Sequence, residues 1–195
     1  MRRPSDAFNA VLGLFLVIWA TVNVESISSW AQALTELVQA SPSWVILLLE
    51  VGYATSLIYV VIVFGALLAG GPERRPALRD LAIAGVTAAV LVVILSFIIN
   101  DAWPYVFPEI GLEDPAPRFP VLRVGMVTAI LVVIGPHVTR PLRRFGWLAI
   151  VATAIASVSL GYGTPTHIIG SFGIGLFSAG LLLAIVGSPR GYPDP

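Results

Sequence analysis

Ionisable side chains that interrupt apolar stretches are the residues of this sequence best suited to chemistry. Glu50, Arg123 and His167 each lie within or at the start of a long apolar run, and His137 follows another. Because a charge is costly in hydrocarbon, a charged group retained there usually binds a ligand, relays a proton or pairs with another charge. Each of these side chains is therefore a candidate site residue.

Arg123 has two interpretations. It can form an ion pair with Glu50 across two helices, or its planar guanidinium can bind the phosphate of an anionic lipid headgroup. Arg118 carries the same group five residues earlier. Asp101 is either a solvated residue at a helix end or the carboxylate that holds one of these arginines. The sequence leaves these alternatives open.

The segment Thr-Pro-Thr-His at 164–167 places two hydroxyls and an imidazole at the start of the last apolar run. A helix that begins there presents the positive end of its dipole, which favours anions. His167 is therefore either a phosphate contact or a polar cap at the membrane interface. The residues predicted to bind a headgroup or phosphate are Arg123, His167, Arg118 and Thr166.

Known catalytic and metal-binding spacings are absent from the sequence. It has no cysteine and only two histidines, which the predicted spans place on opposite sides of the bilayer, so thiolate chemistry and a two-histidine metal site are excluded. Ser-His-Asp, zinc and phosphate-loop patterns are also missing. The net charge is zero and the arginines form short clusters, which excludes a nucleic-acid partner. We therefore predict no catalytic residue, no metal and no cofactor.

The composition indicates a membrane protein. The chain is 57% hydrophobic and 11% charged, whereas about 25% of the residues of soluble domains are charged. Six apolar stretches are long enough to cross about 30 Å of hydrocarbon as helix. A segment at 26–40, between the first two, has the helical spacing of an interfacial amphipathic helix. The predicted fold is an all-α polytopic membrane bundle with about six transmembrane helices, at about 8–24, 44–69, 80–100, 121–138, 145–162 and 167–187.

The arginine distribution predicts the topology. With the N-terminus in the cytoplasm, nine of the eleven arginines lie inside and only Arg118 and Arg123 lie outside, as the positive-inside rule requires. His137 then joins three arginines at the cytoplasmic headgroups. We expect a multi-pass protein of the inner (plasma) membrane with both termini cytoplasmic. Residues 1–188 are expected to form a single transmembrane domain, and 189–195 a polar, proline-rich cytoplasmic tail or linker.

Three stretches carry a pattern of a known family: Phe-Pro at 119–120, Gly-Pro-His-Val-Thr-Arg-Pro-Leu-Arg-Arg at 135–144, and Ser-Val-Ser-Leu-Gly-Tyr-Gly-Thr-Pro-Thr-His at 157–167. They resemble the second half of the phosphatidic acid phosphatase type 2 superfamily. Six spans with an interfacial helix after the first also fit that family. The motif-level resemblance covers about sixty residues, up to Gly175.

The resemblance implies a mechanism whose residues are missing here. The family uses a histidine nucleophile on phosphorus, a second histidine as acid, and Lys, Arg and Ser to hold the phosphate. In this sequence Arg123 occupies the position of the family's acid and Gly163 the position of its nucleophile. His167 occupies the position of the Asp that orients the nucleophile. The Arg of the third motif falls on Ser157. Glycine cannot attack phosphorus, so the chain resembles a degenerate member of the superfamily. The sequence therefore favours a protein that is not an enzyme.

Two functions follow from the sequence. The favoured one is a non-catalytic membrane module on a lipid-phosphate phosphatase-like scaffold, which binds a lipid headgroup or partner membrane helices. The alternative is an atypical lipid-phosphate or prenyl-diphosphate phosphatase on the extracytoplasmic face, with His167 as a displaced nucleophile. In either case we expect Trp103, Arg123 and His167 to lie near one another at one mouth of the bundle.

A narrower resemblance concerns possible partners. The chain looks like the N-terminal membrane segment of actinobacterial proteins that also contain kinase-like and lysylphosphatidylglycerol synthase-like regions. That resemblance implies a kinase-like or flippase-like membrane partner or fused domain, in addition to membrane lipids. A transporter subunit is a further class, but it requires polar residues at mid-membrane, and only Glu50 partly meets that requirement.

Overall fold

The computed structural model describes residues 4–24, 29–104 and 117–187, and within these ranges the fold is built from helices without strands. Short 3-10 turns lie at Pro72–Arg74 and Gly135–His137. The helices are α1 Pro4–Val22, α2 Ser29–Gln39, α3 Ser43–Ala69, α4 Arg75–Asn100, α5 Leu122–Ile134, α6 Arg140–Ser159 and α7 Pro165–Val186.

Five of these helices, α1, α3, α4, α6 and α7, are long and apolar enough to cross a membrane. The fold is therefore the predicted all-α membrane bundle. The helices α4 and α6 begin about five residues before their predicted starts. Both have a proline in the first turn, where its missing N–H costs nothing and its fixed φ suits a helix. Arginines beside those prolines lie outside the apolar stretch, so hydropathy missed the first turn.

The fourth predicted span, at 121–138, is shorter than expected. Its α-helix, α5, has 13 residues, or roughly 20 Å at 1.5 Å per residue, against about 30 Å of hydrocarbon. Eleven of the 13 residues are buried. The helix therefore lies inside the bundle, where neighbouring helices rather than lipid surround it.

The predicted interfacial helix is present as α2, Ser29–Gln39, and packs on α6 and α3. It begins later than the predicted 26–40, and residues 26–28 lie outside the described ranges. Two of its apolar residues differ in environment, since Val38 is buried and Leu37 is exposed. That difference is consistent with a helix that has one face on the bundle.

The helices α1 and α7 pack antiparallel with their backbones in close contact. A Cβ on Gly13 would lie 2.6 Å from the Gly173 carbonyl oxygen, and one on Gly180 would lie 2.7 Å from the Asp6 carbonyl oxygen. Any side chain larger than hydrogen would force the two helices apart. Small residues at such crossings let membrane helices gain van der Waals contact that larger residues would prevent.

The remaining helices surround α5. It packs against α7 and α4, while α3 packs mainly against α6. We call the end of the bundle where α3, α5 and α7 begin the distal end, and the opposite end the proximal end. All four residues of the predicted binding set belong to the distal end.

The close α1–α7 contact makes a prediction about stability. Gly13→Ala should destabilise the fold by about 1–3 kcal/mol, the usual cost of overpacking, because the new methyl group meets the backbone of Gly173 and Phe177. The matched control is Gly65→Ala, since a Cβ there meets nothing within 4 Å and alanine favours helix. Thermal unfolding of both variants, followed by circular dichroism in one detergent, measures the difference. Equal stability of the two variants would contradict the packing described here.

Candidate functional site at the distal end

The distal end is organised around an irregular segment, residues 117–121, that leads into α5. The side-chain amide of Asn100 donates to the Phe119 carbonyl, and its oxygen accepts from the Phe119 N–H at 3.4 Å. Asn100 is the last residue of α4. Both backbone polar groups of Phe119 are therefore satisfied by one side chain, as a non-helical backbone within a bundle requires.

Two further bonds hold the same segment. The Val121 N–H donates to Ser171 Oγ on α7 at 2.7 Å, and the Arg118 N–H donates to the Tyr162 carbonyl at 3.2 Å. The segment is thus fixed to α4, to α7 and to the connection between α6 and α7. This arrangement gives Arg123, in the first turn of α5, a rigid position.

Arg123 is buried, with 4% of its surface exposed, and contacts Tyr53 on α3 in two ways. Its Nη1 donates to the Tyr53 carbonyl at 3.0 Å, and its guanidinium carbon lies 4.1 Å from the centre of the Tyr53 ring. The Tyr53 ring in turn lies 5.2 Å from that of Tyr162. The result is a buried cation stacked on an aromatic face, an arrangement stabilised by the ring quadrupole.

The Tyr53 hydroxyl is a second notable feature of this cluster. It is buried and has no hydrogen-bond partner among the described residues. Most buried polar groups do have one. A hydroxyl in this position, beside a guanidinium, is able to donate to an oxygen of a bound group.

The expected ion pair between Arg123 and Glu50 is wrong for the described residues. The side chain of Arg123 points to Tyr53, while Glu50 lines an open groove with Trp44 and Leu47 on the outer face of α3. Glu50 and Tyr53 are three residues apart, yet only Tyr53 is fully buried. An ion pair does form at the proximal end, between Arg79 and Asp80 at 3.0 Å.

His167 lies in a different environment from Arg123. It is 3% exposed, its ring is 5.6 Å from that of Phe119 at a steep angle, and its Nε2 lies 3.4 Å from the Val24 carbonyl oxygen. Its backbone N–H donates to Thr164 Oγ1 at 3.3 Å. The side chain that caps α7 is therefore that of Thr164, as is common for threonine at this position. The imidazole of His167 does not cap the helix.

The four residues of the predicted binding set have different contacts in the structure. Arg123 contacts α3, whereas His167 faces Phe119 and the chain just after α1. The Arg118 guanidinium donates to the Trp103 carbonyl at 2.9 Å, and Thr166 is buried in the first turn of α7. Segment 117–121 connects these residues, but no described hydrogen bond or ring contact joins Arg123 to His167.

Trp103 was expected beside Arg123 and His167, and the structure places it elsewhere. Its side chain is 63% exposed and packs edge-on against Phe97, with ring centres 5.0 Å apart. Its backbone carbonyl, rather than its ring, contacts the segment 117–121, by accepting from the Arg118 guanidinium.

Sequence reasoning missed Tyr53, Asn100 and Ser171 as partners in this cluster. The neighbour of a tyrosine inside an apolar helix cannot be predicted from the sequence, because its ring packs equally well against apolar side chains and against a cation. Asn100 offered a weak signal, since an amide at the end of a span must find a partner. Ser171 offered none, because its bond to Val121 depends on the register between α5 and α7.

Gly163, where the resemblance would put the nucleophile, has close neighbours. A Cβ on Gly163 would lie 2.7 Å from Val121 Cγ2 and 3.5 Å from His167 Cβ. Among the described residues there is also no group of three His, Cys, Asp or Glu that could hold a metal ion. The polar groups that the distal end offers are a guanidinium, an imidazole and hydroxyls.

The Tyr53 contact makes a prediction for lipid-free protein in detergent. Tyr53→Phe should leave stability unchanged or slightly higher, because it removes a buried hydroxyl that has no partner. Tyr53→Leu should cost about 0.5–2 kcal/mol more than Tyr59→Leu, because only Tyr53 has a cation over its ring. Tyr59 is the matched control, being fully buried with an unpartnered hydroxyl. Equal losses for the two leucine variants, measured by thermal unfolding, would show that the stacked cation adds nothing.

Comparisons with known protein families, curated proteins and solved structures give no match to this chain.

Proposed function

We propose that this chain is a non-catalytic membrane module that binds the phosphate of an anionic lipid headgroup at Arg123. The observation that carries the proposal is the buried guanidinium, fixed on the Tyr53 ring beside a hydroxyl without a partner. A phosphate oxygen accepts well from a guanidinium, and such charge-assisted bonds are about twice as strong as neutral ones. The Tyr53 hydroxyl supplies a second donor.

The enclosure of Arg123 favours retention of a lipid over its turnover. With 4% of the side chain exposed, a phosphate reaches the guanidinium only when neighbouring groups move aside, and it leaves equally slowly. Substrate turnover needs repeated entry and release. A lipid bound for long periods suits a structural or signalling module better than an enzyme.

The absence of a usable nucleophile supports the non-catalytic reading. Phosphoryl transfer through a covalent intermediate needs a nucleophile with an orienting base within hydrogen-bond reach. Gly163 provides no such group, and His167 is buried with its Nε2 facing a carbonyl. On this proposal the phosphatidic acid phosphatase-like architecture serves as a scaffold, and the atypical phosphatase remains the competing function.

Membrane location and orientation belong to the same proposal. The arginine asymmetry favours a bacterial inner membrane with both termini cytoplasmic, so that the distal end faces outward. A kinase-like or flippase-like partner, or fused domain, would then act at the proximal end. The lipid held at Arg123 would then come from the outer leaflet.

The orientation is testable because the chain has no cysteine. A single cysteine introduced at Asp101, at the distal end, should react with a membrane-impermeant maleimide added to intact cells. A cysteine at Glu73, near the proximal end, should react only after the cells are opened. Both positions are exposed, so reactivity reports the side of the membrane. The reverse pattern would place the distal end in the cytoplasm and remove the argument for an outer-leaflet lipid.

Lipid binding is testable with purified, delipidated protein. Phosphatidic acid should raise the unfolding temperature, while diacylglycerol with the same acyl chains should not. Arg123→Met should weaken the phosphatidic acid effect by roughly tenfold or more in concentration, the loss expected for a charge-assisted bond. Arg123→Lys and Tyr53→Phe should have intermediate effects. The control is Arg75→Gln, an exposed arginine at the proximal end outside the His137 cluster, and an effect equal to that of Arg123→Met would contradict the site.

Phosphate release separates this function from the competing one. Wild-type protein in detergent should release no more phosphate from phosphatidic acid or undecaprenyl diphosphate than the Arg123→Ala, His167→Ala double variant. Turnover that the double variant abolishes would establish a rebuilt catalytic centre and overturn the non-catalytic proposal.

A further inference from the structure

An open groove runs down the outer face of α3 from its distal end. Its described lining comes from the first two turns of that helix, and its volume is about 480 Å³. The described lining is apolar apart from one hydroxyl and one carboxylate. The lining residues are Ser43, Trp44, Ile46, Leu47 and Glu50.

The carboxylate of Glu50 faces into this groove. Side chains of a helix lean toward its N-terminus, which for α3 is the distal end, so Glu50 leans toward Ser43 and Trp44. Seven residues separate Ser43 from Glu50, which places the carboxylate roughly 10 Å along the helix. Among the described residues Glu50 has no hydrogen bond or ion pair, unlike Asp80, which pairs with Arg79.

The groove brings a carboxylate, an exposed indole and a hydroxyl together on an otherwise apolar lining, and a cation is the group that complements the carboxylate there. A primary ammonium suits the groove because it carries three N–H donors in a compact group. Trp44, 62% exposed at the groove wall, offers an indole face that attracts the same cation. The Ser43 hydroxyl lies at the start of α3, where it is able to donate to an ester or phosphate oxygen.

We propose that this groove binds the primary-ammonium headgroup of an amino phospholipid, with Glu50 as its counterion. The dimensions favour a lipid over a partner helix. The described lining covers the first two turns of α3, a length that matches a headgroup and its glycerol. Below it the exposed apolar residues of α3, among them Leu57 and Val61, offer a surface for acyl chains. The site does not depend on Arg123 and stands apart from the phosphate site proposed above.

The test uses the full chain in nanodiscs that contain equal amounts of phosphatidylethanolamine and phosphatidylcholine. These lipids differ in the ammonium, which has three N–H donors in the first and none in the second. Native mass spectrometry after release from the nanodisc measures which lipid the protein retains. Wild type should retain phosphatidylethanolamine with about fivefold preference, as one partly solvated charge-assisted bond provides. Glu50→Gln should reduce that ratio to about one.

Three variants make the result decisive. Glu73→Gln removes an exposed carboxylate at the proximal end and should keep the preference of wild type. Glu50→Asp keeps the charge on a shorter side chain, should retain part of the preference, and replaces the Gln variant if that protein does not fold. Glu50→Gln should keep the phosphatidic acid stabilisation of wild type, so failure of the phosphate proposal and failure of this one are distinguishable.

Three outcomes would overturn the proposal. Wild type without preference would show that the groove does not select an ammonium. A preference that survives Glu50→Gln would place the selective site elsewhere. A change in oligomeric state or in copurifying protein on Glu50→Gln, with retained lipid unchanged, would show that the groove holds a helix instead.

Discussion

A helix of 13 residues at the centre of the bundle sets the conditions for everything near it. Because α5 is too short to cross the hydrocarbon, the chain that leads into it, at 117–121, must enter the bundle without helical structure. Its backbone N–H and carbonyl groups then need partners that lipid cannot supply. Asn100, Ser171 and the Tyr162 carbonyl are those partners. The position of Arg123 depends on these contacts, because Arg123 lies in the first turn of α5, directly after this segment.

The coarse architecture was readable from the sequence because it depends on averages over many residues. Most apolar runs of spanning length and the amphipathic segment after the first run survive an error of a few residues. Helix starts at Arg75 and Arg140 were missed because proline and arginine in a first turn look like a loop to a hydropathy scale. The shortness of α5 was missed because the apolar run continues through the 3-10 turn to His137.

The candidate site was harder to predict because it depends on which way single side chains point. Charge alone suggested that Arg123 would meet Glu50. The two residues lie on helices that do pack together, but the guanidinium enters the bundle at Tyr53, one turn farther along α3, and Glu50 faces outward. A rotation of about 60° around one helix separates these outcomes, given 100° per residue, and periodicity in a single sequence does not fix it. The roles of Thr164 and Ser171 depend on helix register in the same way.

The partnership between α1 and α7 also has a bearing on how the protein is assembled. These two helices are the most distant in the described sequence, yet their glycines bring the backbones into direct contact. During synthesis α1 enters the membrane long before α7 exists, so its contact face meets lipid or another protein in the interval. Long-range pairing of this kind delays closure of a fold. The small-residue face of α1 is therefore covered only once α7 has also been inserted.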